Sequence, residues 1–297
     1  MNISVVIPVY KNKALFLTNL AQNYTYIKDN QIIIVDDKSD ENLKEDIEKI
    51  YKEIVVIENK KNLGFAESVN IGFAKAQNPY VLLLNSDVKL NNDSYKRSID
   101  LFKKNEKLFA IGFLQLERDG RKVGKNKLFF KRGLIHHSKS DDLDFGLTAW
   151  AEGGACMIDK EKFDLLNGFD KLYKPFYWED IDLSYRAYKR GWEVYFDPEI
   201  KAEHHHESTI SKYYENSYIK KIAYRNQLIF FWKNITDRNL IFKNIFYLPL
   251  NMLYSVSGFL LALANLPKII RSRLVTMKIN KLKDREILKL FKNEISE

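Results

Sequence analysis

The sequence has 297 residues, 45% hydrophobic and 29% charged, enough for one large domain with an appendage or for two domains. Its formal net charge of +9 resides in residues 207–297, which hold 16 Lys/Arg and 7 Asp/Glu, while the part before them is neutral; the asymmetry implies an acidic partner for the tail, either an anionic membrane or nucleic acid. A single cysteine, Cys156, excludes an internal disulfide framework, and Met1-Asn2 leads straight into Ile3 without a basic leader or cleavage site, so a cytoplasmic location is expected.

In chain order, Ile3-Ser4-Val5-Val6-Ile7-Pro8-Val9 is a β-branched run expected to end at Pro8, which cannot donate to a sheet ladder. Residues 13–21 read as a helix. Gln31-Ile32-Ile33-Ile34-Val35 is a second buried strand, ending in Asp36-Asp37. Residues 42–52 form an amphipathic helix with Leu43, Ile47, Ile50 and Tyr51 on one face. A third strand covers 54–57, and Asn62-Leu63-Gly64-Phe65 turns into a helix over 66–76. Tyr80-Val81-Leu82-Leu83-Leu84 follows the turn signal Asn78-Pro79 and stops at Asn85-Ser86-Asp87. Such a short continuous apolar run reads as a strand buried on both faces. The alternation predicts an α/β fold with a mixed, mainly parallel sheet flanked by helices.

Farther on, 93–104 reads as a helix. Residues 115–144, irregular and rich in Gly and Lys, read as a hairpin and a mobile loop, with His136-His137 in the loop. Order returns at Trp150-Ala151-Glu152-Gly153-Gly154-Ala155. A helix over 160–166 is broken by Gly168-Phe169-Asp170, a helix over 179–190 is closed by Gly191, and a last short strand over 192–196 precedes Asp197-Pro198. Residues 244–266 contain no charge, and Lys268, Arg271 and Arg273 follow at once. Pro249, Asn251, Ser255, Ser257, Gly258 and Asn265 dilute this stretch below the ~20 apolar residues of a membrane span. Interfacial helices on an anionic membrane are expected of the C-terminal helical region, 207–297. The alternative is a helical hairpin packed on the rest of the chain or on a second copy.

Several polar clusters carry candidate chemistry. A carboxylate where a buried parallel strand ends lies at the crevice where open α/β sheets bind ligands, so Asp87 is a candidate metal ligand under a nucleotide diphosphate, or a simple strand cap. Asp36-Asp37 can accept from a pyrimidine N3–H, with Tyr10 offering a ring; alone, they read better as helix caps. Asn62-Leu63-Gly64-Phe65 has one glycine, so neither a dinucleotide nor a Walker signature is present, and its amides either face an anion or make a turn. Trp178-Glu179-Asp180-Ile181-Asp182 places three carboxylates at a helix start, where the dipole favours them. Asp182 and Arg186 are four apart and expected to pair; Asp180 is a general base if it points into the cleft. In His204-His205-His206 side chains alternate, so at most one or two meet a metal, with surface histidines as the default.

Together these segments resemble the family 2 glycosyltransferases of the GT-A fold, most closely their rhamnosyltransferase-like branch. The resemblance runs through Pro8-Val9-Tyr10, Val35-Asp36-Asp37-Lys38-Ser39, Asn62-Leu63-Gly64-Phe65 with Asn70 and Gly72, and Asn85-Ser86-Asp87. It continues through Glu152-Gly153-Gly154, Gly168-Phe169-Asp170, Trp178 to Arg186, Gly191-Trp192, Pro198 and His204, with an echo at Tyr224-Arg225-Asn226. It implies a catalytic domain over 1–206. Pro8, Tyr10, Asp36, Asp37, Asn62, Gly64, Phe65, Asn70, Asn85, Ser86 and Asp87 would line the nucleotide-sugar site, and Gly153, Gly154, Trp178 and Glu179 the sugars. Asp87 and His204 would hold Mn²⁺ or Mg²⁺, although Asn85 replaces the first acid of the Asp-x-Asp element. Asp180 would be the base of an inverting transfer, with dTDP-rhamnose as donor or, alternatively, a UDP-sugar (galactofuranose, glucose or N-acetylhexosamine). The acceptor would be a glycan or lipid-linked oligosaccharide of bacterial surface-polysaccharide synthesis, and homo-oligomers are possible. A nucleic-acid-binding module is the competing class, but it leaves the neutral α/β body unexplained, and no nucleic-acid partner is expected. A scaffold with a decayed site, suggested by Asn85, is the third.

Overall fold

The computed structural model describes residues 3–39, 42–204, 214–277 and 280–291. Strands β1 (Ile3–Val9), β2 (Gln31–Asp36), β3 (Val55–Glu58) and β4 (Tyr80–Leu84) form a parallel block in the order β3-β2-β1-β4. Helices α1 (Lys13–Ile27), α2 (Leu43–Ile50) and α3 (Phe65–Lys75) are its crossovers. Side chains alternate across a strand, and here both faces are covered. Val6, Ile33 and Val35 pack with Val69 and Phe73 of α3. Val5, Ile7, Ile32 and Ile34 pack on the other side with Phe16 and Leu20 of α1 and Leu43 and Ile47 of α2. The first helix outruns its expected end because the stripe Phe16, Leu20, Asn23, Ile27 continues to be buried.

The chain then adds β5 (Val88–Leu90), a 3₁₀ turn (Ser94–Arg97), α4 (Ser98–Lys104), β6 (Leu108–Glu117), β7 (Lys122–Val123), β8 (Asn126–Lys131), β9 (Leu134–Lys139) and β10 (Gly146–Leu147). After these come β11 (Ala155–Asp159), α5 (Lys160–Leu165), α6 (Glu179–Lys189) and β12 (Glu193–His204). Beyond β4 the sheet continues β11-β6-β12-β10, with β11 antiparallel to both neighbours and β12 parallel to β6. Thus β3, β2, β1, β4, β6 and β12 share one direction, and the sheet is mixed but mostly parallel, a GT-A-like arrangement flanked by helices. β8 and β9 form a separate hairpin.

Three expectations are corrected. β1 runs through Pro8, which pairs with Val35; the β4 ladder has already ended at Val6, so a residue that cannot donate is tolerated. His136 and His137 lie in β9, not in a loop. The last strand is not short. It passes Pro198 by a register shift between Asp197 and Lys201 and resumes on β6 as far as His204. His205 and His206 lie outside the described residues.

The C-terminal helices are α7 (Asn216–Asn234), α8 (Arg238–Tyr254), α9 (Val256–Ala264), α10 (Leu266–Met277) and α11 (Asp284–Lys289). Leu228, Ile229, Phe230 and Phe231 of α7 share one apolar core with Phe109, Trp150, Tyr185 and Tyr188. Buried charge reinforces the join. Asp182 accepts from Arg186 Nε at 2.7 Å, the expected pair, and also from Lys233 Nζ at 2.8 and 2.9 Å, Asn234 Nδ2 at 2.8 Å and Tyr173 OH at 2.8 Å. Burial alone would raise the Asp182 carboxyl, but Arg186 and Lys233 outweigh it and hold it far below the usual range. Asp284 of α11 pairs with Lys189 at 2.6 Å and accepts from Tyr185 OH at 2.5 Å. Among the described residues, no helix is long and apolar enough to cross a membrane.

Candidate active site

β4 is fully buried from Val81 to Leu84, then turns sharply: Val88 N donates to Asn85 O at 3.1 Å, which leaves Asp87 on the turn into β5. α1 pins this turn through Asn19 Nδ2 to Ser86 O (3.1 Å), Asn23 Nδ2 to Val88 O (2.9 Å) and Leu90 N to Asn23 Oδ1 (2.7 Å). The far half of β12 pairs with β5, His204 opposite Val88. Two distant segments therefore meet: His204 Nε2 lies 3.3 Å from Asp87 Oδ1.

Behind His204 stands a polar relay that begins at buried Gln115 and ends at exposed Lys139. The imidazole Nδ1 is 2.5 Å from Gln115 Oε1, Gln115 Nε2 donates to Glu152 Oε2 at 2.8 Å, and Glu152 Oε1 pairs with Lys139. Gln115 and Lys139 are absent from the residues singled out in the sequence, and Glu152 was named there only within the Glu152-Gly153-Gly154 block, with no role of its own. The one signal for Gln115 was an amide interrupting the apolar run of β6.

Gly153 and Gly154 join this relay to α6. Gly154 O accepts from Asn85 N at 2.8 Å, while the Asp180 carboxylate accepts from Ile181 N at 2.8 Å and has the Gly153 amide near it, which favours its ionised form. A Cβ on Gly153 would lie 2.8 Å from Phe65 Cζ, and one on Gly154 3.0 Å from His204 Cε1. Small residues let the backbone pass between a ring and an imidazole. Burial, and then the charge of Glu152, push the Asp180 carboxyl up to about 6. Glu179 is raised further, by burial and then by Asp180. Its Oε2 is buried without a hydrogen-bond partner among the described residues, beside Gly64, Phe65 and Lys174.

The turn before α6 is strained: Tyr177 and Trp178 have φ of 70° and 78°. Fully buried Asn226 of α7 holds it, donating from Nδ2 to the carbonyls of Tyr173 and Phe176 at 2.8 Å and Tyr177 at 2.9 Å. The Trp178 ring is buried against Phe230 and His137.

At the neighbouring strand ends, Asp37 organises its surroundings. Its Oδ1 accepts from Asn59 Nδ2 (2.9 Å) and Leu63 N (2.7 Å), and its Oδ2 from Gly64 N (2.7 Å). Gly64 takes φ +84°, a conformation that glycine adopts without penalty. Asp36 Oδ1 accepts from Ser39 N at 2.9 Å, and Ser39 Oγ accepts from Lys11 N at 3.0 Å, which ties the ends of β1 and β2 beside half-buried Tyr10. Pro8 is buried within β1. Asn70 makes two hydrogen bonds of 2.9 Å to the Phe169 backbone, and Asn62 is exposed.

A family profile described as Glycosyl transferase family 2 matches residues 4–166, more than half of the chain. The chain belongs to that family. Among curated relatives it is similar to the poly-beta-1,6-N-acetyl-D-glucosamine synthases of Staphylococcus aureus (26% identical over 171 residues) and Staphylococcus epidermidis (25%). Each alignment covers 57% of this chain and 41% of the relative, so the chain matches less than half the length of these proteins. Similar solved structures include GalNAc-T7 with UDP, GalNAc and Mn²⁺ (TM-score 0.61, 15% identity, covering 87% of this chain and 57% of the other). The Pyrobaculum calidifontis mannosyltransferase PcManGT with GDP-Man and Mn²⁺ gives 0.57, 13%, 97% and 83%. S. aureus TarS 1-349 with UDP-GlcNAc gives 0.58, 14%, 94% and 82%. At these identities the structures show the shared fold.

The fold family implies a divalent ion, and the residues present fit one. Around an ion with metal–oxygen distances near 2.1 Å, adjacent donors lie about 3 Å apart, and Asp87 Oδ1 and His204 Nε2 are 3.3 Å apart. Among the described residues no cluster of three or more His, Cys, Asp or Glu is placed to hold a metal. The pair would therefore hold an ion with water and a ligand's oxygens completing the shell. The carboxylate oxygen suits Mn²⁺ or Mg²⁺, and the imidazole nitrogen favours Mn²⁺ of the two.

Proposed function

We propose that this family 2 chain is an inverting, metal-dependent glycosyltransferase that moves a sugar from a nucleoside diphosphate donor to a hydroxyl of a glycan or lipid-linked acceptor. One observation carries the reading: Asp87 and His204 meet at 3.3 Å, and the Gly153-Gly154 backbone, whose Gly154 O accepts from Asn85 N, runs from that pair to the Asp180 carboxylate.

In this reading Tyr10 stacks on the pyrimidine. A carboxylate has about four lone-pair sites, and Asp37 uses three on Asn59, Leu63 and Gly64, which leaves one on Oδ2 for the base N3–H. Asp180 takes the acceptor hydroxyl's proton as that oxygen bonds to the anomeric carbon. The bond from that carbon to the diphosphate oxygen breaks, its electron pair leaves with the diphosphate, and the centre inverts. Asp87 and His204 would hold a divalent ion that, when bound, would supply Lewis-acid stabilisation of the charge gathering on the leaving group. Gly153 and Gly154 admit Phe65 and His204 against the backbone and so shape the floor on which the sugars would sit, with Glu179 at the margin.

Two donors are carried forward. The Asn85-Ser86-Asp87 and Trp178-to-Arg186 blocks support dTDP-rhamnose, through their likeness to the rhamnosyltransferase branch. The names of the poly-beta-1,6-N-acetyl-D-glucosamine synthases, GalNAc-T7 and TarS, which mention N-acetylglucosamine, GalNAc and UDP, support a UDP-N-acetylhexosamine, whereas PcManGT is named with GDP-Man. Nucleoside diphosphate release, measured for dTDP-rhamnose and a set of UDP-sugars with and without Mn²⁺, decides between them. Release from one donor class, dependent on the ion and lost in Asp180→Asn, is the expected result. No turnover of any donor, or full turnover by Asp180→Asn, would remove the proposal.

A further inference from the structure

α8, α9 and α10 each have a buried and a bare side. Leu240, Asn244 and Asn251 of α8 face inward, and the two asparagines donate to the carbonyls of Gly133 (2.8 Å) and Arg132 (3.2 Å) at the turn of the β8–β9 hairpin. Phe259, Ala262 and Ile269 anchor α9 and α10 in the same way. The opposite side is apolar and open: Phe242, Phe246, Leu253 and Tyr254 are 70–78% exposed, and Leu260 and Leu274 more than half exposed. Large exposed apolar patches on a soluble surface mark interaction sites.

The charge of the same stretch selects the occupant. Residues 238–277 contain five Lys/Arg and not one Asp or Glu. Arg238, Lys243, Lys268 and Arg271 are exposed around the apolar side chains, and Lys131 and Arg132 are exposed at the hairpin turn beneath α8. A second copy docking by this face would oppose like charges with no acid to balance them. A surface that is apolar within and anionic at its rim satisfies both features. None of the three helices spans a bilayer among the described residues, and Pro249 lies inside α8, so they suit the plane of an interface.

We propose that α8, α9 and α10 form a docking face for an anionic lipid surface, with Phe242, Phe246 and Leu253 entering the acyl boundary and Lys243, Lys268 and Arg271 at the phosphate level. A cavity of about 610 Å³ opens at the α8–α9 junction, lined by Tyr254, Ser255 and Ser257 together with Lys220, Lys221 and Glu215. It continues the face through Tyr254 and offers two ammonium groups to a phosphate headgroup. The inference stands on exposure and charge, apart from the transfer reading.

Flotation of the full chain with phosphatidylglycerol–phosphatidylcholine vesicles, and with pure phosphatidylcholine vesicles, tests it. Binding to the first and much weaker binding to the second is expected, falling with added salt. Reversing charge in Lys243→Glu/Lys268→Glu/Arg271→Glu lowers affinity by at least about a hundredfold. Phe242→Ser/Phe246→Ser/Leu253→Ser abolishes flotation with the circular dichroism spectrum unchanged, since these side chains are exposed. Equal binding by the serine variant overturns the inference. So does absence of flotation at both compositions, or a dimer in light scattering that the serine variant converts to monomer without any vesicle binding. Donor turnover, followed in parallel without vesicles, reports on transfer alone.

Discussion

Gln115 fixes the ring of His204. Its amide NH₂ is engaged by Glu152, so its oxygen faces the imidazole, Nδ1 carries a hydrogen, and Nε2 is the nitrogen directed at Asp87. Gln115→Leu keeps the bulk and removes both contacts. Supporting residues of this kind are worth about 10–100-fold in metal affinity, so half-saturation by Mn²⁺ should rise by about that factor. Electron paramagnetic resonance of Mn²⁺ in the presence of nucleotide reads the same change without turnover; an unaltered titration would refute the orientation argument.

Asp180 must be ionised to accept a proton, so kcat/KM should fall on the acid side of about 6. Glu152 contributes charge that raises this carboxyl, and Glu152→Gln should move the acid limb to lower pH. Asp180→Asn should lose about 10²–10⁴-fold in kcat with donor binding retained, measured by initial rates across pH.

Glu179 works against stability when charged. Its carboxyl is raised to about 8 in the fold, against about 4.3 in the unfolded chain. Between these values the unfolded state releases a proton that the folded state keeps, so stability falls as pH rises through the window. Glu179→Gln has no such loss. Its melting temperature relative to the parent should climb from about pH 5 to about pH 8; a constant difference would contradict the assignment.

Lys233 is 1% exposed and lies on two carboxylates, Asp170 at 2.6 Å and Asp182 at 2.8 Å. Lys233→Met keeps the length and strands part of that negative charge. Breaking such a buried pair costs about 3–5 kcal/mol, which urea unfolding should register, and Asp182→Asn in the same background should recover some of it.

What could be read from the residues alone follows from range. The β4 run and its halt at Asn85-Ser86-Asp87 are local, and so is the i,i+4 pair of Asp182 and Arg186; both are found where the pattern puts them. Lys233 reaches Asp182 across 51 residues, and Gln115 reaches His204 across 89, so neither leaves a periodic trace. Asp37 was visible as an acid at a strand end, but Asn59, Leu63 and Gly64, which occupy its oxygens, were not visible as its partners. Pro198 read as a stop because a proline normally is one; the ladder survives because the shift sets it outside the pairing. The basic, apolar tail was evident by composition, whereas the split between its anchored and bare sides required the packing.

That shift in β12 governs parity. Asp197 pairs with Phe113 and Lys201 with the very next residue, Leu114, so three residues stand outside the ladder. Because successive side chains point to opposite faces, a deletion here that slipped the pairing of residues 201–204 on β6 by one position would send every side chain beyond it to the other face. The imidazole at 204 would then project from the wrong side of the sheet, although no atom of any ligand residue had been altered. Length here is as much a part of the centre as chemistry.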